Sequence, residues 1–469
     1  MTSVATWTGD FVHTELGIEL HTDAARSVMP VKTLVGVALR RNPKRAQLLV
    51  STVLAKHVPT VPGVSIAAGE LLGLLVGHEL DGGQLDTSLA DRLTQIIAAD
   101  AAGSQPSDDL TGLRGSIRVS ASHHPDVTTI GYAETATGLG QLVAGTIGSY
   151  YIHSTRHAEP GAPSFAGFEE EHSHATSHRL FPTRSDWLTP GGTVVLVDDE
   201  LSTGTTILNT ITAIDAVVPQ SRWIVASLID LRSSADRGRF DECAARLGTR
   251  ISVVCLGAGS IDLPDDVLAR SRATIDRHAS EPLFAQPSPG VVEFVEPAVA
   301  PVRSARFGVD GTVDAPTAQA IAAAVSPLLS AGGVLVLGTE EFIALPMAVA
   351  DHLHAGNPEV RFSTTTRSPI APVDRPDYAI ESSITFPGHD SDGDTDDAQT
   401  DDAPRFAYNL ERGGSRPTTV VLMPEPGTEP ARLTAPGGVV DALRAVVDRV
   451  IVVLLPNSTP LPTEWTAHP

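Results

Sequence analysis

Lysine is nearly absent from this chain. Of 33 basic residues among 469, only Lys32, Lys44 and Lys56 are lysines. Cysteine is as scarce: Cys243 and Cys255 show neither a metal-binding spacing nor a disulfide framework. No uninterrupted apolar run approaches the ~18 residues of a membrane span, so none is expected. The opening MTSVATWTGDF has no basic start and no apolar core, so no secretory leader is expected either. A soluble, cytoplasmic protein is the resulting expectation. Acidic residues outnumber basic ones, giving a formal net charge of -23. That balance argues against broad nucleic-acid binding, which needs a basic face.

The length suggests two or three domains, and 42% hydrophobic residues leave ample material for cores. Residues 1–112 read as a mainly helical N-terminal region. Residues 113–280 alternate strand and helix. Strands are expected at 116–121, 127–133, 149–155, 194–199, 223–231 and 251–258, with helices at Thr137–Ile147 and from Thr206 to about Ala216. Apolar strand runs separated by helices predict an α/β fold with a mainly parallel sheet covered on both faces. A Pro-, Ala- and Val-rich stretch, 281–316, reads as a linker. A second α/β pattern fills 317–469, with helices at Thr317–Ala331 and Glu341–Leu353 and strands at 334–339 and 360–365. Within it, 387–404 is acidic and poor in apolar residues. Its Asp-x-Asp spacing suggests a calcium loop, but the Gly and terminal Glu of an EF-hand are missing. A disordered insert is expected there.

The most informative stretch is Val194–Thr206, VVLVDDELSTGTT. An apolar strand leads to the acid pair Asp198 and Asp199, then to Ser202, Thr203, Gly204, Thr205 and Thr206, which open a helix. Adjacent carboxylates can accept hydrogen bonds from the vicinal hydroxyls of a ribose. The Ser/Thr/Gly run offers hydroxyls and backbone N–H groups to a phosphate, with the positive end of the helix aimed at the same anion. Glycine in the loop supplies positive φ and close approach.

These residues resemble the fingerprint of the type I phosphoribosyltransferases, orotate phosphoribosyltransferase-like enzymes that use phosphoribosyl pyrophosphate (PRPP). The resemblance implies a twisted, mainly parallel sheet with a helical N-terminal hood. It implies Mg²⁺ near Asp198 and Asp199, directly or through water. By the same resemblance the pyrophosphate loop is Glu134, Thr135, Ala136 and Thr137, and Arg156 is its cation at the end of the next strand. Glu134 could equally be a helix cap, and Arg156 a structural ion pair. A lid is expected at 159–182, where His172 and Arg179 are candidate catalytic groups. A metal site from His172, His174 and His178, or a plain polar loop, are the other readings of that segment. Relatives carry a lysine in the lid; this chain has none after Lys56.

LRRNPKRAQLLVSTVLAKHVPT, from Leu39, is a basic island in an acidic chain. Arg41, Lys44, Arg45, Lys56 and His57 are candidate acceptor-binding residues, with a solvated face or an interface patch as the alternative.

The two halves look alike. IGYAETATGLGQLVA running into YIHSTRHAEPG parallels LGTEEFIALPMAVADHL running into VRFSTTTRSPI. Gly131 and Glu134 match Gly338 and Glu341, while Thr155 and Arg156 match Thr366 and Arg367. Where the first half has Asp198 and Asp199, the second has Pro424 and Glu425, without a T-G-T loop. A second, diverged phosphoribosyltransferase-like domain is therefore expected, with Glu341 and Arg367 as its candidate site. Thr366-Arg367-Ser368-Pro369 resembles the signature of the TRSP domain, which follows a phosphoribosyltransferase domain in proteins linked to bacterial tellurium-resistance and stress gene clusters. The combined resemblance implies transfer of a phosphoribosyl group between PRPP and a nitrogenous base, with a PRPP-binding regulatory protein as the alternative. It leaves a homodimer open.

Overall fold

The computed structural model describes residues 9–42, 45–103, 107–157, 164–169, 177–278, 288–388 and 403–458. The N-terminal region contains α1 (Asp10–Leu16), β1 (Glu19–Thr22), α2 (Val31–Leu34), the antiparallel hairpin β2 (Val35–Leu39) and β3 (Gln47–Ser51), α3 (Pro62–Asp81), α4 (Thr87–Ala101) and α5 (Ser107–Ser120). The strand expected at 116–121 is thus the last turns of α5. Leu110, Leu113 and Ile117 are buried at helical spacing while Val119 is 89% exposed, so one-sided burial follows a 3.6-residue period rather than a strand's two. The expected boundary at 112 falls inside this helix.

Next come β4 (Thr128–Gly131), α6 (Thr137–Ile147), β5 (Tyr150–His153), the hairpin β6 (Ala166–Glu169) and β7 (Ser177–Leu180), β8 (Thr193–Leu201), α7 (Thr205–Asp215), β9 (Arg222–Asp230), α8 (Ser234–Leu247), β10 (Arg250–Asp262) and α9 (Val267–His278). Strands β10-β9-β8-β4-β5 run parallel, with β1 antiparallel on the β10 edge. Their central residues, Val194 to Val197 and Trp223 to Ala226, are buried on both faces, as covered parallel strands require.

α3 is long and apolar enough to cross a membrane by length and composition, but 78% of its apolar window is buried inside this fold. Gly69 and Gly73, one turn apart, let it lie against α6. A Cβ at Gly69 would sit 2.5 Å from Leu142, and one at Gly73 would sit 2.6 Å from Thr146.

The second half begins earlier than its sequence pattern suggests. β11 (Val291–Val295), within the expected linker, is an edge strand of the second sheet, and β12 (Val309–Asp310) pairs antiparallel with β5 of the first. Then follow α10 (Ala315–Val325), β13 (Val334–Gly338), α11 (Ala344–Gly356), β14 (Val360–Thr364), the hairpin β15 (Ser383–Phe386) and β16 (Arg405–Tyr408), β17 (Thr419–Met423), α12 (Pro430–Leu433), α13 (Val439–Arg444) and β18 (Arg449–Val453). The second sheet is all parallel in the order β11-β18-β17-β13-β14. Reading β4, β5, β8, β9 beside β13, β14, β17, β18, the two sheets share one strand order. Each also carries an antiparallel hairpin between its second and third strands of that set. Most of the acidic insert, 389–402, lies outside the described residues.

Candidate active site

β8 delivers the chain to the site. Its apolar residues lock it into the sheet, and its last residues carry Asp198, Asp199 and Glu200 out at the carboxyl edge, where open parallel sheets bind ligands. The loop 202–206 then turns directly into α7. Gly204 caps that helix with φ of 75°, and a Cβ there would lie 2.5 Å from the Phe240 ring. Only glycine meets both demands. Arg239 braces the loop, donating from Nη2 to the Thr203 carbonyl at 2.9 Å and from Nη1 to Thr205 Oγ1 at 3.2 Å.

A cavity of about 330 Å³ opens over this loop, lined by Ser202 to Thr206, Asp198 and Glu200. Its opposite walls come from distant parts of the chain. Glu134 and Thr135 stand between β4 and α6, and Arg156 follows β5. Arg40 and Arg45 flank the turn of the β2–β3 hairpin, and Lys56 follows that hairpin. Arg367 and Ser368 follow β14 in the second half. Five cationic side chains thus face three carboxylates, in a protein of net charge -23. An excess of positive charge concentrated in one cleft marks an anion site.

Lys56 is 3% exposed. Its ammonium lies 3.1 Å from Glu134 Oε1 and donates to Thr135 Oγ1 at 2.6 Å. Glu134 caps no helix: Ala136 holds the N-cap position of α6, without a side-chain cap. The Ala133–Glu134 peptide bond is cis. Burial, together with the neighbouring Asp199, raises the Glu200 carboxyl to about 7, against the pull of Arg45 and Arg40.

The structure spreads the expected site residues over several places. Asp198 and Glu200 line the cavity but Asp199, between them on β8, does not, because successive strand residues alternate faces. Ala136 and Thr137 turn away from it; both are buried, and Thr137 Oγ1 donates to the Glu341 carbonyl at 2.8 Å. Arg179 sits on β7, its backbone paired with Thr155, outside the lining. Arg41 is exposed, and its N–H donates to the Pro369 carbonyl at 3.0 Å. His57 is buried beside Tyr408, and burial holds its imidazole well below the usual range. Lys44 and His172 lie outside the described residues. His178 is buried, its Nδ1 2.9 Å from Ser154 Oγ. Sequence reasoning missed Glu200 and Ser368 as lining residues and assigned Arg367 to a separate site.

Glu341 belongs to a second cavity, of about 290 Å³, between the halves. Burial opposes its ionisation, but His157, Arg306 and His153 hold its carboxyl down to about 2. Arg306 Nη2 also pairs with Glu425 Oε2 at 2.6 Å. Among the described residues no group of three His, Cys, Asp or Glu side chains is placed to hold a metal ion.

Residues 34–260 match the family model described as phosphoribosyl transferase, and residues 303–443 match the TRSP domain found C-terminal to it. A search of curated proteins finds no match. Among solved structures the chain is similar to adenine phosphoribosyltransferases. One, from Thermoanaerobacter pseudethanolicus, has 21% identity, covering 28% of this chain and 71% of that one, with a TM-score of 0.21. One from Giardia lamblia, complexed with 9-deazaadenine, has 20% identity, covering 36% and 84%, with a TM-score of 0.21. One from Rhodothermus marinus has 21% identity, covering 28% and 68%, with a TM-score of 0.20.

Proposed function

For a chain that carries a phosphoribosyl transferase family domain over residues 34–260, with a TRSP domain after it, we propose that the larger cavity binds PRPP with Mg²⁺ and transfers its phosphoribosyl group to a nitrogenous base or related heterocycle. The observation that carries this reading is the loop 202–206, set at the N-terminal end of α7 and faced across the cavity by cations.

The 5-phosphate suits that loop, whose residues line the cavity and offer backbone N–H groups and the Ser202, Thr203, Thr205 and Thr206 hydroxyls. The carboxylates of Asp198 and Glu200, on one face of β8, suit the ribose hydroxyls. The diphosphate then lies towards Thr135, Lys56 and Arg156. The donor set suits Mg²⁺ held chiefly by ligand oxygens and water, with Asp198 nearby, since this ion keeps several waters and needs few protein ligands. Bound there, Mg²⁺ would neutralise charge on the departing pyrophosphate.

In the reaction a nitrogen lone pair attacks C1, the C1–O bond to pyrophosphate breaks, and its electrons leave with the pyrophosphate. The protein's task is to position the reactants and to stabilise charge on the leaving group. Arg40 and Arg45 also line the cavity and suit an acceptor bearing a carboxylate.

The test is pyrophosphate release from PRPP and Mg²⁺ across a panel of nucleobases and carboxylated heterocycles. Base-dependent release supports the transferase. PRPP binding without release by any acceptor supports a regulatory binding protein instead.

A further inference from the structure

The two halves correspond at several matched positions beyond their shared strand order. Ser154 Oγ accepts from the Ala133 N–H at 3.0 Å, and at the matching place Thr365 Oγ1 accepts from the Glu340 N–H at 3.1 Å. Thr155 bridges antiparallel to Arg179 on the first hairpin, and Thr366 bridges to Phe406 on the second. The halves also exchange their leading segments. Thr60, just before α3, bridges antiparallel to Phe362 on β14, while β12, just before α10, pairs antiparallel with β5. Their loops cross over as well: Arg367 Nε lies 3.9 Å from Glu134 Oε2, and Glu341 Oε1 accepts from the Arg156 N–H at 3.2 Å. This is the pattern of two subunits docked about a two-fold axis, in one polypeptide.

The two resulting sites are unequal. The second-half cavity has no phosphate loop, and its carboxylates Glu341 and Glu425 are engaged by Arg306 from the connecting segment. The first-half cavity is open, and the second half supplies part of its wall.

Resting on the PRPP reading above, we infer that the TRSP domain is a diverged copy docked as a subunit partner, and that its Arg367 and Ser368 bind the diphosphate of the ribosyl donor. Arg367 is mounted for this. Its Nε donates to Glu340 Oε2 at 2.6 Å, and Glu340 is anchored from the other side by Arg405. Those two arginines outweigh burial and hold the Glu340 carboxyl well below the usual range. Among the described residues the Nη atoms of Arg367 make no hydrogen bond, so the paired edge that best matches phosphate oxygens is available.

Ser368 is fixed by its backbone. Its carbonyl accepts from the Tyr408 hydroxyl at 2.6 Å, and that hydroxyl accepts from the Ile370 N–H at 2.7 Å. The segment that follows is bonded to the β2–β3 hairpin, with Arg41 N–H donating to the Pro369 carbonyl at 3.0 Å and Ala371 N–H to the Leu39 carbonyl at 2.9 Å. The domain therefore cannot leave the site without breaking this pairing.

The experiment is calorimetry on the full chain with PRPP, inorganic pyrophosphate and ribose 5-phosphate, each with Mg²⁺. It compares wild type with Arg367→Gln, Arg367→Lys and Ser368→Ala. Arg367→Gln is expected to weaken PRPP and pyrophosphate by about ten- to a hundredfold, the scale of lost charge-assisted hydrogen bonds, with ribose 5-phosphate unchanged. Arg367→Lys, which keeps the charge and guards against a folding failure, recovers part of the loss. Unchanged PRPP and pyrophosphate affinity in both Arg367 variants, while Asp198→Asn loses PRPP, overturns the inference and leaves the transferase reading standing. Failure of wild type to bind PRPP at all overturns both.

Discussion

Arg367 Nε lies 3.9 Å from Glu134 Oε2, although one residue follows a strand of the second sheet and the other a strand of the first. Glu134 also holds Lys56 at 3.1 Å, so one buried carboxylate ties together the N-terminal region, the loop before α6 and the TRSP domain. The loss of one member from such a set is costly because the other charges stay buried.

Lys56→Met is accordingly expected to destabilise the fold by about 3–5 kcal/mol, the range for breaking a buried pair. Adding Glu134→Gln should restore part of that loss. Chemical denaturation of the two single variants and the double variant measures the coupling; simple additivity would show that the pair does not interact.

Gly204→Ala places a Cβ against Phe240 at a residue with positive φ. It should cost about 1–3 kcal/mol in stability and abolish PRPP-induced thermal stabilisation. A variant with wild-type melting and an undiminished PRPP shift would contradict the role given to this loop.

Glu341 carries a pH signature. Its carboxyl is held down to about 2 in the fold, below the ordinary 4.5. A depressed acid contributes stability above its unfolded value and loses it as pH falls from about 4.5 towards 2. Glu341→Gln should therefore be less stable than wild type at pH 6, by up to about 3 kcal/mol from the size of the shift. That gap should close between pH 4.5 and 2. Denaturation curves across the range test it, and a pH-independent gap would contradict the assignment.

Arg306→Met removes the cation paired with Glu341 and Glu425, two carboxylates that line the second cavity. A lower melting temperature with unchanged PRPP affinity is expected. Tighter or additional PRPP binding would show that the second cavity is a working site masked by Arg306.

What the sequence made legible was local. Val194–Thr206 could be read because strand, acids, loop and helix start are contiguous, and the structure keeps that order. The resemblance between halves was visible at Gly131 and Gly338 for the same reason. The composite cavity was not visible: Arg40, Lys56, Glu134 and Arg367 meet only through tertiary packing, and no periodicity encodes that. The residues 116–121 misled because Ile117 and Val119 alternate with polar residues as in a strand, whereas only Ile117 finds a core to enter. Glu200 was not legible as a lining residue: on an extended strand, residues two apart share a face, so it joins Asp198 at the cavity.

The most direct test of the account is calorimetric titration of the full chain with PRPP in the presence of Mg²⁺, for wild type and Asp198→Asn. One PRPP per chain, lost in the variant, is the predicted result. No binding by wild type, or two equivalent sites per chain, would contradict it.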